Sequence, residues 1–298
     1  MNQVIFPPQK PWKNTSPSQI NTHRLCPRKW WFEKIAGWKR SAGAAALLGT
    51  KKHAVLERYF RREAPLTDPM LTPGLEYLPD PIEISPHGVE LRINFNADDI
   101  PVPIKGVIDL VDHANGRIID HKTTGNLRYA KAEEELRHDP QAIIYSRFAM
   151  TFIVEFQKLE EIMFRLVYYR TKGSGMSIKR ETTFTRQDLK AQWASIVDTS
   201  EQMLAHSTLP AEQVPYKLTS CSAYGGCPYR TQCARCGADT LGSLGALFNP
   251  PNQQGDLQMS KADAPSAFRD RLKSRKGADG DVKESPSPYH GWFQANGF

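Results

Sequence analysis

Two acidic residues and one lysine stand at spacings that place them on one face of a predicted β-hairpin. The residues are Asp109, Asp120 and Lys122, and between them an Asn115-Gly116 pair separates two β-rich segments. Asn-Gly in this setting is a strong hairpin signal. With the pair at the centre of a type I′ turn, Asp109 faces Lys122, and Asp120 shares their face because side chains alternate along a strand. A four-residue loop shifts the pairs but keeps this parity, whereas a three-residue loop breaks it.

This arrangement suits metal-assisted hydrolysis. Two carboxylates that lie close repel each other unless a cation sits between them, and hard divalent cations prefer oxygen ligands. An ammonium group beside that metal can hold or deprotonate an attacking water. Together these groups form the minimum set for cleaving a phosphodiester bond. The alternative from these three residues alone is an ordinary salt-bridged pair on an exposed hairpin face.

Composition narrows the class of protein. The chain has 298 residues, which is enough for one large domain or two small ones. It contains no apolar run as long as a membrane span, and its first residues lack the charged start and apolar core of a signal peptide. We therefore expect a cytoplasmic protein without a membrane partner, in which five cysteines favour metal binding over disulfides. A net charge of +7 suits a polyanionic partner, although mildly basic surfaces are common.

Hydrophobic periodicity predicts an α/β fold with a mixed central sheet and helices on its faces. After an extended lead-in over residues 1–15, helices are predicted over 20–35, 44–62, 139–152 and 187–206. Strands are predicted over 89–95, 102–112, 117–123, 161–170 and 177–184. From about residue 240 the composition favours disorder, with a short basic helix near 264–276.

Six short motifs follow one another in a recognisable order. They are Ser16-Pro-Ser-Gln-Ile leading to Cys26-Pro-Arg-Lys-Trp-Trp-Phe, Gly49-Thr50 through His53, Gly106-Val-Ile-Asp109, Asp120-His-Lys122-Thr123, Gln141 through Tyr145, and Cys221 with Cys227 and Cys233. In this order they resemble the PD-(D/E)xK nuclease superfamily, specifically its RecB-like branch with an iron–sulfur cluster. That branch includes CRISPR adaptation exonucleases, the AddB nuclease domain and phage exonucleases. The resemblance spans residues 16–236 and implies a restriction-endonuclease-like domain, followed by a largely disordered tail over 237–298.

The resemblance also implies a metal site. Asp109 and Asp120 bind Mg²⁺ or Mn²⁺ in this interpretation, and His53 is a further ligand that favours Mn²⁺ somewhat because imidazole is the softer donor. Glu57, one helical turn after His53, either orients that histidine or forms an ordinary helix salt bridge. Glu90 is an additional acid that this interpretation leaves outside the site.

Three further residues complete the implied catalytic set. Lys122 positions or activates the attacking water. Gln141 and Tyr145 lie at i and i+4 on one helix face, where they contact the substrate or support Lys122. Seen without the resemblance, they are a generic helix pair.

The cysteines allow two metal assignments. The resemblance implies that Cys26, Cys221, Cys227 and Cys233 hold a 4Fe–4S cluster that joins the N- and C-terminal segments of the domain. The alternative places zinc between the last three of these and Cys236, and leaves Cys26 free. Five residues separate the first two cysteines of the C-terminal group, where the family commonly has two. The cluster is favoured because Cys26 stands where the family has its first ligand.

The implied activity is that of a metal-dependent DNA exonuclease that acts on single strands or duplex ends. Repair, recombination, phage replication and CRISPR adaptation are all compatible with it. The alternatives are a catalytically silent DNA-binding or scaffold subunit with the same fold, and a zinc-knuckle nucleic-acid binder. The chain carries no ATP-binding P-loop, so any helicase is a separate partner.

Two further segments are predicted to make contacts with partners. Arg28 and Lys29 flank the first cysteine on the opening helix and are predicted phosphate contacts. The tail ends in a group of aromatic residues, which we expect to anchor a helicase, a polymerase or a single-strand-binding protein. These aromatic residues are Tyr289, Trp292, Phe293 and Phe298.

Overall fold

A five-stranded mixed sheet forms the centre of the protein. The structure, a computed structural model, describes residues 9–39, 42–222 and 226–235. The strands lie in the order β1-β2-β3-β4-β5, and all neighbours are antiparallel except β3 and β4, which are parallel. Their bounds are β1 Val89–Phe95, β2 Ile104–Asp112, β3 Arg117–Thr124, β4 Glu161–Arg170 and β5 Ser177–Thr185. The predicted mixed sheet is confirmed.

Helices flank this sheet. Within the described ranges they are α1 Pro17–Leu25, α2 Pro27–Lys34, α3 Ala44–Phe60, α4 Glu133–Leu136, α5 Pro140–Phe152, α6 Val154–Gln157, α7 Arg186–Ser207 and α8 Arg230–Arg235. A search of the described residues finds no helix with the length and apolar character needed to cross a bilayer.

The opening helix is broken, so the prediction of one continuous helix over 20–35 is wrong. Ser16 caps α1 by accepting a hydrogen bond from the Gln19 amide at 3.2 Å. Cys26 then adopts an extended backbone conformation, with φ −163° and ψ 108°. The following Pro27 disfavours helical backbone at Cys26, and it starts α2 in the position where a missing N–H costs least. Cys26 therefore occupies the corner between two helices.

The β2–β3 hairpin has a four-residue loop over 113–116. A type I′ turn needs a positive φ at both Asn115 and Gly116, but only Gly116 has one, at 58°. The buried Asp112 carboxylate stabilises the wider loop by accepting hydrogen bonds from the Asn115 amide at 3.2 Å and from the Arg117 side chain. The Asn-Gly signal thus predicted the position of the hairpin correctly but the length of its loop incorrectly.

The longer loop shifts the strand register by two residues. Asp112 pairs with Arg117, so Asp109 lies opposite Asp120, and the pairing of Asp109 with Lys122 expected from a two-residue turn is wrong. The parity is preserved, so the two acids and the lysine still share a face.

The sheet opens where the two acids stand. β2 and β3 pair only through residues 110–112 and 117–119. Beyond that point β2 remains paired with β1, and β3 remains paired with β4. Asp109 and Asp120 are the first residues past the shared ladder, and we refer to this opening between them as the fork.

Two helices approach the fork from opposite sides of the sheet. Leu56 and Phe60 of α3 pack in one cluster with Leu110 and Ile119. Side chains alternate along β3, so Asp120 points to the other side, where it is contacted by α5.

Several sequence predictions concern the ends of the chain. Thr15, the last residue of the predicted lead-in, forms a parallel bridge with Ile104 on the side of β2 that β3 has left, because β1 pairs with the other side of β2 at this residue. The predicted tail over 237–298, its short helix and Cys236 lie outside the described residues. The domain boundaries at residues 16 and 236 stay predictions.

Candidate active site

The carboxylate of Asp109 lies in the fork. The side chain is 9% exposed, and its Oδ2 accepts the backbone N–H of His121 at 2.7 Å. This hydrogen bond gives the His121 amide a partner close to the point where β3 separates from β2. Burial opposes ionisation of Asp109, but hydrogen bonding to His53 and nearby positive groups outweigh it and lower the pKa. Asp109 is therefore held in its charged form.

Asp120 faces Asp109 across the fork and is 1% exposed. Burial and the charge of Asp109 raise its pKa to about 7. Gln141 donates a hydrogen bond from Nε2 to one carboxylate oxygen at 2.5 Å, and Lys122 Nζ lies 2.5 Å from the other. The second acid is thus fixed in orientation from two directions.

His53 reaches the fork from α3. Its Nδ1 lies 3.3 Å from Asp109 Oδ2, and the hydrogen bond to Asp109 raises the pKa of the imidazole against the opposing effect of burial. Glu57 forms the helix salt bridge with Arg61, at 3.0 Å. Of the two alternatives for Glu57, the structure therefore shows the ordinary salt bridge.

Glu90 lies in the same cluster, although the sequence interpretation left it outside. On either side of Glu90, Val89 pairs with Leu110 and Leu91 pairs with Ile108, so Glu90 lies across from Asp109. Ligand atoms of His53, Glu90 and Asp109 all lie within 4.8 Å of one another. Three carboxylates thus stand in a row on three adjacent strands.

Two properties set Glu90 apart from an ordinary surface acid. Its backbone φ is 52°, a left-handed conformation that is unfavourable for a residue with a long side chain. Burial, followed by the charge of Asp109, raises its pKa to about 7. The only signal for Glu90 in the sequence is its place in a strand, because its contact with Asp109 depends on a register that a long connection sets.

Lys122 projects from β3 on the same face as Asp120 and is partly exposed. Burial favours the neutral amine, but Asp120 and Asp109 outweigh this effect and raise the pKa of Lys122. The ammonium therefore stays charged beside the acids.

Gln141 and Tyr145 project from the first turns of α5. Asp139 caps this helix by accepting the Gln141 amide at 2.7 Å, and Pro140 begins it. Tyr145 is buried, and its hydroxyl accepts the Val107 amide of β2 at 3.3 Å. Gln141 therefore holds Asp120 while Tyr145 packs on the strand that carries Asp109.

His121, between Asp120 and Lys122 in sequence, points to the opposite side. It stacks on Phe60, and its Nδ1 lies 3.1 Å from the Tyr169 hydroxyl. Burial lowers its pKa to about 4, so this imidazole is a neutral part of the core under α3.

Comparison with known proteins identifies the family. A family model described as the PD-(D/E)XK nuclease superfamily matches residues 14–77 and 74–234. The chain belongs to the PD-(D/E)XK nuclease superfamily. The predicted resemblance to this superfamily and the restriction-endonuclease-like α/β fold are confirmed, while the RecB-like branch and its iron–sulfur cluster stay predictions. The family is one of nucleases, so nucleic acid is the class of substrate.

Solved structures resemble this nuclease only distantly. The protein SSO0001 shares 16% identity and a TM-score of 0.45, covering 75% of this chain and 87% of its own. A protein from Eubacterium rectale, described as an exonuclease candidate, shares 12% identity and a TM-score of 0.39, covering 65% of this chain and 81% of its own. No curated protein matches the nuclease by sequence. Identities this low carry no information about substrate.

The two ends of the nuclease domain meet at the cysteines. Cys26 and Cys233 are buried, while Cys221 and Cys227 are partly buried, and all four are free thiols. The Ser220 hydroxyl donates to the Leu25 carbonyl at 2.7 Å, which brings the C-terminal group against the corner between α1 and α2. Burial raises the pKa of Cys221, and the other three cysteines act in the same direction. Cys221 therefore lies within electrostatic reach of the other three thiols.

Arg28 does not face a nucleic acid, so its prediction as a phosphate contact is wrong. The side chain is 3% exposed and donates to the carbonyls of Val214 at 2.9 Å and Glu212 at 3.0 Å. A further nitrogen lies 3.8 Å from Cys233 Sγ. Arg28 joins the opening helices to the C-terminal segment. The neighbouring Lys29 is half-buried, and its contact with phosphate stays a prediction.

Proposed function

We propose that this chain is a metal-dependent deoxyribonuclease that hydrolyses phosphodiester bonds as an exonuclease, on single-stranded DNA or duplex ends. The observation that carries the proposal is the row of Glu90, Asp109 and Asp120 on adjacent strands, with His53 on one side and Lys122 on the other. Membership of a nuclease superfamily supports DNA as the substrate.

The donor set fits a divalent cation. His53, Glu90 and Asp109 offer one imidazole and two carboxylates within 4.8 Å, and they would hold the ion. Burial, and after it the charge of Asp109, raises the pKa of Glu90, and a bound cation offsets the cost of ionising this carboxyl group. Oxygen donors suit Mg²⁺, and the imidazole favours Mn²⁺. When bound, the ion activates water and polarises the phosphate.

The metal set differs in part from the one that the sequence predicted, which was His53, Asp109 and Asp120. Glu90 joins His53 and Asp109, while Asp120 is engaged by Lys122 and Gln141. We propose that Asp120 borders the same site from the far side of the fork.

Lys122 and Gln141 have separate tasks in this proposal. The neighbouring acids keep Lys122 protonated, so it acts as a donor that holds the attacking water or a phosphate oxygen, and it does not remove a proton. Gln141 is a positioning residue that fixes Asp120.

We further propose that Cys26, Cys221, Cys227 and Cys233 hold a 4Fe–4S cluster. Thiolate ligands suit both iron–sulfur clusters and zinc, so the proposal is supported by the position of Cys26 and not by the type of ligand. The Ser220–Leu25 bond places Cys26 beside the C-terminal group, which supports the assignment that includes it.

Metal analysis of anaerobically purified protein tests this assignment. We expect iron in the wild type, loss of iron in Cys26→Ser, and retention of iron in Cys236→Ser. Zinc in the wild type, with loss of metal in Cys236→Ser and retention in Cys26→Ser, would establish the zinc alternative.

A cleavage assay tests the nuclease function. Labelled single-stranded and duplex oligonucleotides are incubated with Mn²⁺ or Mg²⁺. We expect Asp109→Asn, Asp120→Asn and Lys122→Met each to abolish cleavage nearly completely, with double variants little worse than single ones because the groups act as a unit. Asp98→Asn, in an exposed position, is the matched control and stays active. A folded wild type that binds DNA but cleaves none with either metal would establish the silent-subunit alternative.

A further inference from the structure

An exposed arginine–tyrosine pair lies on the turn after β3, the strand that carries Asp120 and Lys122. Tyr129 is 67% exposed. The guanidinium carbon of Arg128 lies 4.9 Å from the centre of the Tyr129 ring, and Arg128 Nη2 donates to the Tyr129 hydroxyl at 2.8 Å. The arginine orients the ring and leaves much of its surface open to solvent.

The turn that carries this pair is well ordered by its own hydrogen bonds. Leu127–Tyr129 forms a short 3-10 helix, and the side chain of Asn126 caps it by accepting the Arg128 amide at 3.0 Å. The Thr124 hydroxyl donates to the Asn126 carbonyl at 3.0 Å. The ring is therefore presented by a defined backbone, which lowers the entropy lost when a ligand binds to it.

The same turn is bonded to the candidate active site. The Lys131 amide donates to the Tyr168 hydroxyl at 3.2 Å, and Tyr168 pairs directly with Lys122 across the parallel strands. Lys131 also forms an ion pair with Asp139, the cap of the helix that carries Gln141. Tyr129 is two residues from Lys131, so the chain separates them by about 7 Å at most.

Two basic side chains, Arg128 and Lys172, lie at this turn, while Lys131 is paired with Asp139. Arg128 and Lys131 belong to the turn, and the side chain of Lys172 packs beside Gly125, where a Cβ would lie 3.4 Å from Lys172 Cδ. An aromatic face among cations matches single-stranded nucleic acid, whose bases stack on aromatic rings while its phosphates meet positive charges. Bases inside a duplex are already stacked and offer no face to a side chain.

We infer that Tyr129, held by Arg128, stacks against an unpaired base of the strand whose backbone enters the fork. This inference rests on the proposed nuclease function and extends it, because it makes the site selective for single-stranded DNA. Tyr129 is a substrate-positioning residue and takes no part in the chemistry.

Binding of the full-length protein to DNA tests the inference. Fluorescence anisotropy is measured in EDTA, which prevents cleavage, with a labelled single-stranded oligonucleotide and a blunt duplex of equal length. We expect Tyr129→Ala to weaken single-strand binding by about 5- to 140-fold, the range that corresponds to one base-stacking contact. Duplex binding stays unchanged, and Tyr129→Phe stays near wild type because the ring remains.

Phe152→Leu is the matched control. Phe152 is also an exposed aromatic residue, 42% exposed, and it stands at the far end of α5 from Gln141, about 16 Å along the helix axis. We expect this variant to bind both DNA forms as the wild type does. A 2-aminopurine base in the single strand adds a direct readout, because stacking on the ring quenches its fluorescence in the wild type and not in Tyr129→Ala.

The outcomes separate this inference from the proposed function. If the wild type cleaves DNA with Mn²⁺ while Tyr129→Ala binds single strands normally, or weakens single-strand and duplex binding equally, the stacking inference is wrong and the nuclease function stands. If the wild type neither binds nor cleaves DNA, the proposed function fails and this inference fails with it.

Discussion

Glu90→Gln is expected to stabilise the metal-free protein and to weaken its response to metal. A carboxyl group whose pKa rises from 4.5 to about 7 costs about 3 kcal/mol when it is ionised in the folded state. Solvent reaches part of this side chain, so we reduce the expected gain to about 1–2 kcal/mol. The amide keeps the size of the side chain and removes the charge that opposes Asp109.

The size of the effect changes with pH in a defined window. The unfolded chain loses this proton near pH 4.5 and the folded protein only near pH 7, so the penalty is absent below pH 4.5, grows between the two values and is complete above pH 7. In EDTA at pH 8, melting of Glu90→Gln should occur about 2–8 °C above the wild type, and the difference should shrink toward pH 5.

Bound metal should reverse the order of the two melting temperatures, so that the wild type melts above Glu90→Gln. Mn²⁺ at about 100 times its dissociation constant stabilises the wild type by about 2.7 kcal/mol, and Glu90→Gln loses most of that gain because a ligand is missing. Glu83→Gln is the control, since Glu83 is exposed and is not among the charges that act on Glu90, so this variant should show neither the gain in EDTA nor the loss with Mn²⁺. Melting of Glu90→Gln below the wild type in EDTA, or with the same Mn²⁺ shift, would refute the reasoning.

Three further substitutions test individual contacts. Gly106→Ala places a Cβ 2.8 Å from Tyr145 Cε1, so we expect a loss of about 1–3 kcal/mol, measured as a lower urea midpoint at constant slope. Gln141→Leu should lower kcat for cleavage about 10- to 100-fold with little change in KM or melting temperature, and a change in KM alone would contradict its positioning role. Asp112→Ala leaves Arg117 without its buried partner and should cost about 3–5 kcal/mol in urea unfolding, whereas a cost below 1 kcal/mol would contradict the account of the hairpin loop.

The sequence predicted correctly which active-site residues share one face of the sheet, but it did not predict which residues pair across the β2–β3 hairpin. Alternation along β2 and β3 places Asp109, Asp120 and Lys122 together for any loop with an even number of residues. The loop length itself depends on the Asp112 carboxylate, which bonds the Asn115 amide and is not part of the Asn-Gly signal. Local preference therefore located the hairpin, and a side-chain contact decided its register.

Residues whose roles depend on distant contacts were not predictable in this way. Glu90 meets Asp109 through the register of β1 against β2, which the connection over 96–103 sets. Arg28 looked like a surface cation because its helix is basic, but its bonds to Glu212 and Val214 bury it. The break at Cys26, in contrast, could have been predicted, because Pro27 restricts the residue before it.

Mn²⁺ titration of the full-length protein, followed by cleavage of a single-stranded oligonucleotide in the same samples, tests the central claim most directly. We expect the wild type to bind Mn²⁺ saturably at the fork and to cleave in proportion to occupancy. Asp109→Asn should lose both properties together, while Asp98→Asn keeps both. Cleavage by the wild type in EDTA, or Mn²⁺ binding by Asp109→Asn equal to that of the wild type, would contradict the assignment of the fork as a metal-dependent nuclease site.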